Sequence, residues 1–128
     1  MSENTIEYLS SAAGQGLPFS EVVRVGNTYY VSGQLGRDAA TGKLVPGGIA
    51  AETRQTMENI KATLERHGLG MDDIVKVTVF MADIGEWAAM NQVYVTYFPN
   101  HLPARSALGA NGLALGARLE IECIAARA

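Results

Sequence analysis

Arg105, within Pro103-Ala104-Arg105-Ser106, and Glu120, within Leu119-Glu120-Ile121-Glu122-Cys123, are the residues of this chain best suited to chemistry. A guanidinium stays charged at any ordinary pH, and its planar fork matches both oxygens of a carboxylate. A glutamate held in a sheet can orient or deprotonate a water molecule beside the captured group. Together the two suggest chemistry on a small carboxylic acid. The same side chains serve equally well as a structural ion pair, and spacing alone does not separate these readings. Nor does it separate Glu120 from Glu122, which lies two residues along and on the same strand face.

Further segments extend the pattern in a fixed order. They are Gly16-Leu17-Pro18-Phe19-Ser20-Glu21, then Val31-Ser32-Gly33-Gln34, then Asp73-Ile74-Val75-Lys76-Val77-Thr78-Val79-Phe80, with Asn91 and Tyr94 beyond. Any one of them alone is a weak signal. Joined to Pro-Ala-Arg-Ser and to the strand of alternating glutamates, they make the chain resemble the Rid family, formerly named after YjgF, over nearly its whole length.

The resemblance implies an α+β fold of chorismate-mutase-like type, a mixed sheet with two helices packed on one face, assembled as a homotrimer with active sites in clefts between subunits. It implies hydrolysis of reactive enamines and imines (2-aminoacrylate and 2-iminopropanoate, 2-iminobutanoate) to 2-oxo acids and ammonium, with no cofactor. Arg105 would then clamp the substrate carboxylate and Glu120 would position or activate water. Ala107 stands where many relatives carry cysteine, leaving a backbone role beside the substrate nitrogen. Phe19 stands where well-known relatives carry tyrosine, so packing remains and a hydroxyl does not. Ser32 and Gly33 would shape the cleft floor, the glycine permitting close backbone approach, although Gly33 could equally just end a strand. Asn91 reads by default as a solvent-facing or intrahelical amide. Other readings stay open: a non-catalytic trimer that binds 2-oxo acids or acts as a chaperone, and a pathway-specific deaminase of a larger enamine.

Composition narrows the field. The chain has 128 residues, of which 48% are hydrophobic and 18% charged, the range of one globular domain spanning residues 1–128. A formal net charge of -3 supplies no positive field for a phosphate backbone, which disfavours nucleic acid and with it RNA cleavage. The single cysteine, Cys123, falls in an apolar strand pattern and reads as core in a reducing compartment. The opening residues lack the basic and apolar regions of a secretory signal, and no stretch is long enough to span a bilayer, so a soluble cytoplasmic protein is expected. His67 and His101 are not backed by ligands at metal-binding spacing, and no metal site is expected.

The elements that must position these residues are legible in outline. Val22–Val25 and Thr28–Val31 flank Gly26-Asn27, a tight hairpin signal. Turn residues from Arg37 to Gly48 form a loop leading into a helix over Ile49–His67, with Ile49, Met57, Ile60 and Leu64 inward and Glu52 among the residues on other faces. Ile74–Met81 reads as a strand covered on both faces. Asp83 is expected to begin a second helix with Glu86 as a capping partner and Trp87, Met90, Tyr94 and Tyr97 as its inward stripe. A strand near Arg105–Leu108, a glycine-rich loop and a long strand over Arg118–Ala126 close the chain. The order is β-β-α-β-α-β-β, with room for an added strand through Ile6 and Tyr8. The final strand's outer side mixes acids with an isoleucine, a face that invites subunit packing.

Overall fold

The computed structural model describes residues 5–10 and 16–128, so the opening Met1–Asn4, read above for a targeting signal, lies outside the described residues. One six-stranded sheet carries every strand among the described residues: β1 (Ile6–Leu9), β2 (Val22–Val25), β3 (Thr28–Gln34), β4 (Ile74–Met81), β5 (Ala104–Gly109) and β6 (Leu119–Ala126), in the spatial order β1-β2-β3-β6-β4-β5. The N-terminal strand is present, which makes the order β-β-β-α-β-α-β-β.

Topology fixes where the helices go. β3 and β4 both run antiparallel to β6, which lies between them, and β5 runs parallel to β4. The three strands β3, β4 and β5 therefore point the same way and step in one direction across the sheet. Their two connections contain α1 (Gly48–Arg66) and α2 (Trp87–Tyr94). Crossovers of one hand that step in one direction put both helices on one face, where α1 and α2 pack side by side.

Strand alternation then sorts the side chains. On β6 Leu119, Ile121, Cys123 and Ala125 are buried beneath the helices, while Glu120, Glu122 and Ile124 face away. Leu119 and Ile121 lose all contact with water, each worth about 1.5–3 kcal/mol of burial. Across β4 the same alternation sends Val77, Val79 and Met81 to the core and Lys76, Thr78 and Phe80 to the uncovered face. Tyr30 and Leu108 leave that face partly apolar. Among the described residues, no helix is long and apolar enough to cross a membrane.

Helix α1 stops where glycine supplies a left-handed residue: Gly68 has φ 76°, its N–H donates to Glu65 O at 3.1 Å, and the Leu69 N–H donates to Leu64 O at 2.9 Å. Leu64 and Leu69 are both buried, closing the motif with an apolar contact. Two expectations are corrected. Glu52 is buried, not outward: its Oε1 accepts the Arg118 backbone N–H at 3.0 Å, so the acid satisfies the chain just before β6. Asp83 caps a single 3-10 turn over Ile84–Glu86 through the Gly85 N–H at 2.8 Å, and α2 starts only at Trp87. The Glu86 carboxylate goes instead to the Arg118 guanidinium, at 2.9 and 3.1 Å.

Candidate active site

Arg105 sits level with Val77 of β4, so its side chain emerges on the helix side of edge strand β5. There it meets three residues of α2 spaced to share one face, Trp87, Asn91 and Tyr94. Arg105 Nη1 donates to Asn91 Oδ1 at 2.7 Å. Its Cζ lies 4.7 Å from the Tyr94 ring centroid and 5.8 Å from that of Trp87. The guanidinium is thus oriented by one neutral acceptor and two π faces, and it makes no ion pair among the described residues. A cleft of about 260 Å³ opens beside it, walled further by Val95, Leu102 and Pro103.

Trp87 is therefore not part of an inward stripe: it is 46% exposed and lines this cleft, while Met90 and Tyr94 turn inward. Burial pushes the Tyr94 phenol above its ordinary value, and the Arg105 charge pulls it part of the way back. Its hydroxyl is buried without a partner among the described residues.

Glu120 occupies the other side of the sheet. β3 pairs Val31 with Cys123 and then Gln34 with Ile121, so β3 spends one residue more than β6 and bulges at Ser32-Gly33. The Glu120 side chain lies in the space opened there: a Cβ built on Gly33 would sit 2.8 Å from Glu120 Cδ. Burial, and after it the negative charge of Glu122, raise the Glu120 carboxyl above its ordinary value. Glu122 itself is exposed, in a shallow depression with Tyr30, Lys76 and Thr78. Ser32 Oγ donates to Ser20 O at 2.6 Å and the Ser32 N–H to Glu21 O at 2.9 Å, which ties the loop bearing Phe19 to the bulge. Phe19 is 52% exposed.

Ala107 lies level with Val79, its methyl packed against the core. The Ala110 N–H donates to Met81 O at 2.7 Å, which sets the phase of the parallel ladder. By alternation, the main-chain groups of Arg105, Ala107 and Gly109 face the open edge of the sheet.

Two half-sites result. Arg105 and Ala107 belong to one, on the helix side and edge of β5; Glu120, Gly33, Ser32 and Phe19 belong to the other, around the β3 bulge. Glu120 is level with Phe80 and so with Leu108, three residues along from Arg105 and two strands away. At strand spacings of ~4.8 Å and a rise of ~3.3 Å per residue, their Cα atoms stand roughly 14 Å apart, with the side chains on opposite faces. An intramolecular ion pair between them is excluded by this geometry.

Asn91 and Trp87 are the site residues that sequence reasoning missed. The signal was present in the spacing of Trp87, Asn91 and Tyr94, one face of a helix that follows β4 and leads into β5.

The family model described as endoribonuclease L-PSP matches residues 10–127. The chain belongs to that family, the YjgF/Rid proteins. Within it, the chain is 45% identical over 107 residues to a protein of Rattus norvegicus named 2-iminobutanoate/2-iminopropanoate deaminase, covering 84% of this chain and 78% of the relative. It is 40% identical over 119 residues to the Homo sapiens protein of the same name, covering 91% and 87%. Among solved family members, YyfA from Yersinia pestis superposes with a TM-score of 0.90 at 34% identity, over 96% of this chain and all of that one. TdcF of E. coli, solved with bound serine, superposes with a TM-score of 0.83 at 30% identity, over 100% of this chain and 97% of its own.

Proposed function

We propose that this protein is a cofactor-independent 2-imino acid deaminase that hydrolyses 2-iminopropanoate and 2-iminobutanoate to 2-oxo acids and ammonium. One observation carries the reading: the Arg105 guanidinium is fixed by Asn91 and Tyr94 yet neutralised by no carboxylate among the described residues, which leaves its charge to an anionic ligand. The deaminase names of relatives and the serine bound to TdcF, itself a carboxylate, point the same way.

In this reading Arg105 grips the substrate carboxylate through its fork and holds C2 of the imine at a fixed place. Water adds to C2 and its proton passes to the Glu120 carboxylate, whose raised proton affinity makes it a better base than an exposed glutamate. Glu120 then returns the proton to the nitrogen of the carbinolamine. The C–N bond then breaks and ammonia departs as the C2 hydroxyl becomes a carbonyl, its proton passing to Glu120 and from there to the ammonia, which leaves as ammonium. Phe19, Ser32 and Gly33 line the Glu120 side, and the open-edge main chain of Ala107 faces the substrate.

Because the two half-sites lie on opposite faces, each site takes Arg105 from one subunit and Glu120 from a neighbour. A homotrimer that covers the uncovered sheet face, in the cytoplasm, fits this requirement and the apolar content of Tyr30 and Leu108 on that face. RNA cleavage, named in the family description, has less support. His101 is engaged with Asp72 O at 2.8 Å, and His67 sits at the end of α1 against Tyr29, both away from either half-site.

The test generates 2-imino acids in situ with an amino-acid oxidase and follows their loss. Wild type accelerates it, while Arg105→Ala and Glu120→Ala do not. Equal rates for wild type and Arg105→Ala overturn the assignment. Undiminished function in Glu120→Ala with ligand still bound makes the protein a binder of 2-oxo acids.

A further inference from the structure

We infer that Asn91 is the positioning residue of the anion clamp: its neutral amide orients the Arg105 fork without neutralising it, and leaves the Nε–Nη2 edge for bidentate capture of the substrate carboxylate. The inference rests on the deaminase reading and adds how that site is held ready. A guanidinium only donates, so the 2.7 Å contact with Nη1 fixes the amide with Oδ1 toward Arg105. That bond commits a donor of Nη1. Nε and Nη2, whose N–H groups can run parallel onto a carboxylate, make no hydrogen bond among the described residues.

Negative charge is kept away from this contact. Helix α2 has no acid from Trp87 to Tyr94. Glu86, the residue before it, is taken by the Arg118 guanidinium at 2.9 and 3.1 Å. An aspartate in place of Asn91 would offer Arg105 the same acceptor in a stronger bond, but its charge would repel a second carboxylate on the same guanidinium. The amide therefore separates orientation from neutralisation. The other titratable groups nearby are Tyr94 on α2 and Cys123 on β6, both of which burial keeps protonated at neutral pH, and no α1 side chain lines the cleft. Every contact used here lies within one chain and stands whichever surface a neighbouring subunit places opposite.

The experiment compares wild type, Asn91→Asp and Asn91→Leu, all of similar side-chain volume. It reads thermal melting, pyruvate binding by calorimetry and steady-state hydrolysis of 2-iminopropanoate generated in situ. Asn91→Asp is expected to melt at or above the wild type, because it gains an ion pair with Arg105. Its pyruvate affinity falls by about tenfold or more, and KM rises in step while kcat stays within about twofold. A purely structural amide predicts the opposite, binding that follows stability. Asn91→Leu removes the acceptor without adding charge, so kcat falls by about tenfold or more as the fork leaves its productive orientation. That variant carries the test should Asn91→Asp not fold. Undiminished pyruvate affinity in folded Asn91→Asp, or unchanged kcat in Asn91→Leu, overturns this inference and leaves the deaminase reading standing. Wild type that binds pyruvate but hydrolyses no imino acid overturns the deaminase reading, and weakened binding in Asn91→Asp then supports Asn91 as the positioning residue of a 2-oxo acid binder. Wild type that does neither overturns both.

Discussion

The carboxylate arm of Glu120 lies across the backbone of Gly33, in the volume a Cβ at that position would need. The bulge in β3 brings the main chain close, and the missing side chain leaves a slot for the acid. Gly33 does not need positive φ, so alanine there is conformationally acceptable, and the conflict falls on the end of one flexible side chain.

Gly33→Ala is therefore expected to fold with a melting temperature near that of the wild type while displacing Glu120. Turnover should fall by at least about tenfold, since misplacing a catalytic group by an ångström costs up to about a hundredfold. Thermal melting alongside single-turnover rates checks this. Unchanged rates would detach Glu120 from the chemistry.

Arg105→Lys keeps the charge but loses the planar fork and its stacking on Tyr94. Loss of charge-assisted bonding worth about 2–3 kcal/mol lowers kcat/KM by roughly 30- to 150-fold. The single tryptophan, Trp87, lies 5.8 Å from the Arg105 guanidinium and offers a fluorescence readout of pyruvate binding, which should weaken in step.

Tyr94→Phe retains the ring beneath Arg105 and removes a buried hydroxyl that lacks a partner among the described residues. Stability should hold or rise, because an unpaired buried hydroxyl carries a desolvation cost. Tyr94→Leu removes the ring and should raise KM. Calorimetry and steady-state kinetics on the two variants separate ring from hydroxyl.

Glu120 titrates above the ordinary carboxylate value, first through burial and then through Glu122. A base must be ionised, so activity is lost as pH falls through this raised value, and Glu122→Gln moves the acid limb to lower pH. For stability the sign is opposite to that of a salt-bridged acid. The folded state holds the proton more tightly than the unfolded chain, so the destabilising contribution is absent below the unfolded value and complete above the folded one. Glu120→Gln should melt above the wild type at neutral pH, the gap closing on acidification.

Mixing two inactive proteins tests where the halves meet. Co-refolded Arg105→Ala and Glu120→Ala chains should regain about a quarter of wild-type activity, the share of sites that draw each intact group from a different chain in a cyclic assembly. No recovery would place both groups in one subunit's site.

What was legible in the chain were local signals. Gly26-Asn27 closes the β2–β3 hairpin with Gly26 at φ 59°, Gly68 ends α1, and the alternation of β6 separates Ile121 from Glu120. These depend on neighbours a few residues away. Glu52 and Asn91 were misjudged because their partners stand 66 and 14 residues distant, and periodicity carries no record of them. Glu52 reads as a solvent-facing acid until Arg118 is folded onto it, and Asn91 as a bland amide until β5 delivers Arg105. Glu120 and Glu122 are level in the strand pattern, and what distinguishes them is the bulge in β3 that sets Gly33 beside Glu120, an irregularity that alternation does not announce.

The back-to-back placement of Arg105 and Glu120 bears on how such an enzyme would be governed in the cell. No local rearrangement of a folded protomer unites them, so under the proposed mechanism a newly made chain would be inert until it meets its sisters. Specific activity should then decline on dilution as mass action dissolves the assembly, tying hydrolytic capacity per chain to the abundance of the protein.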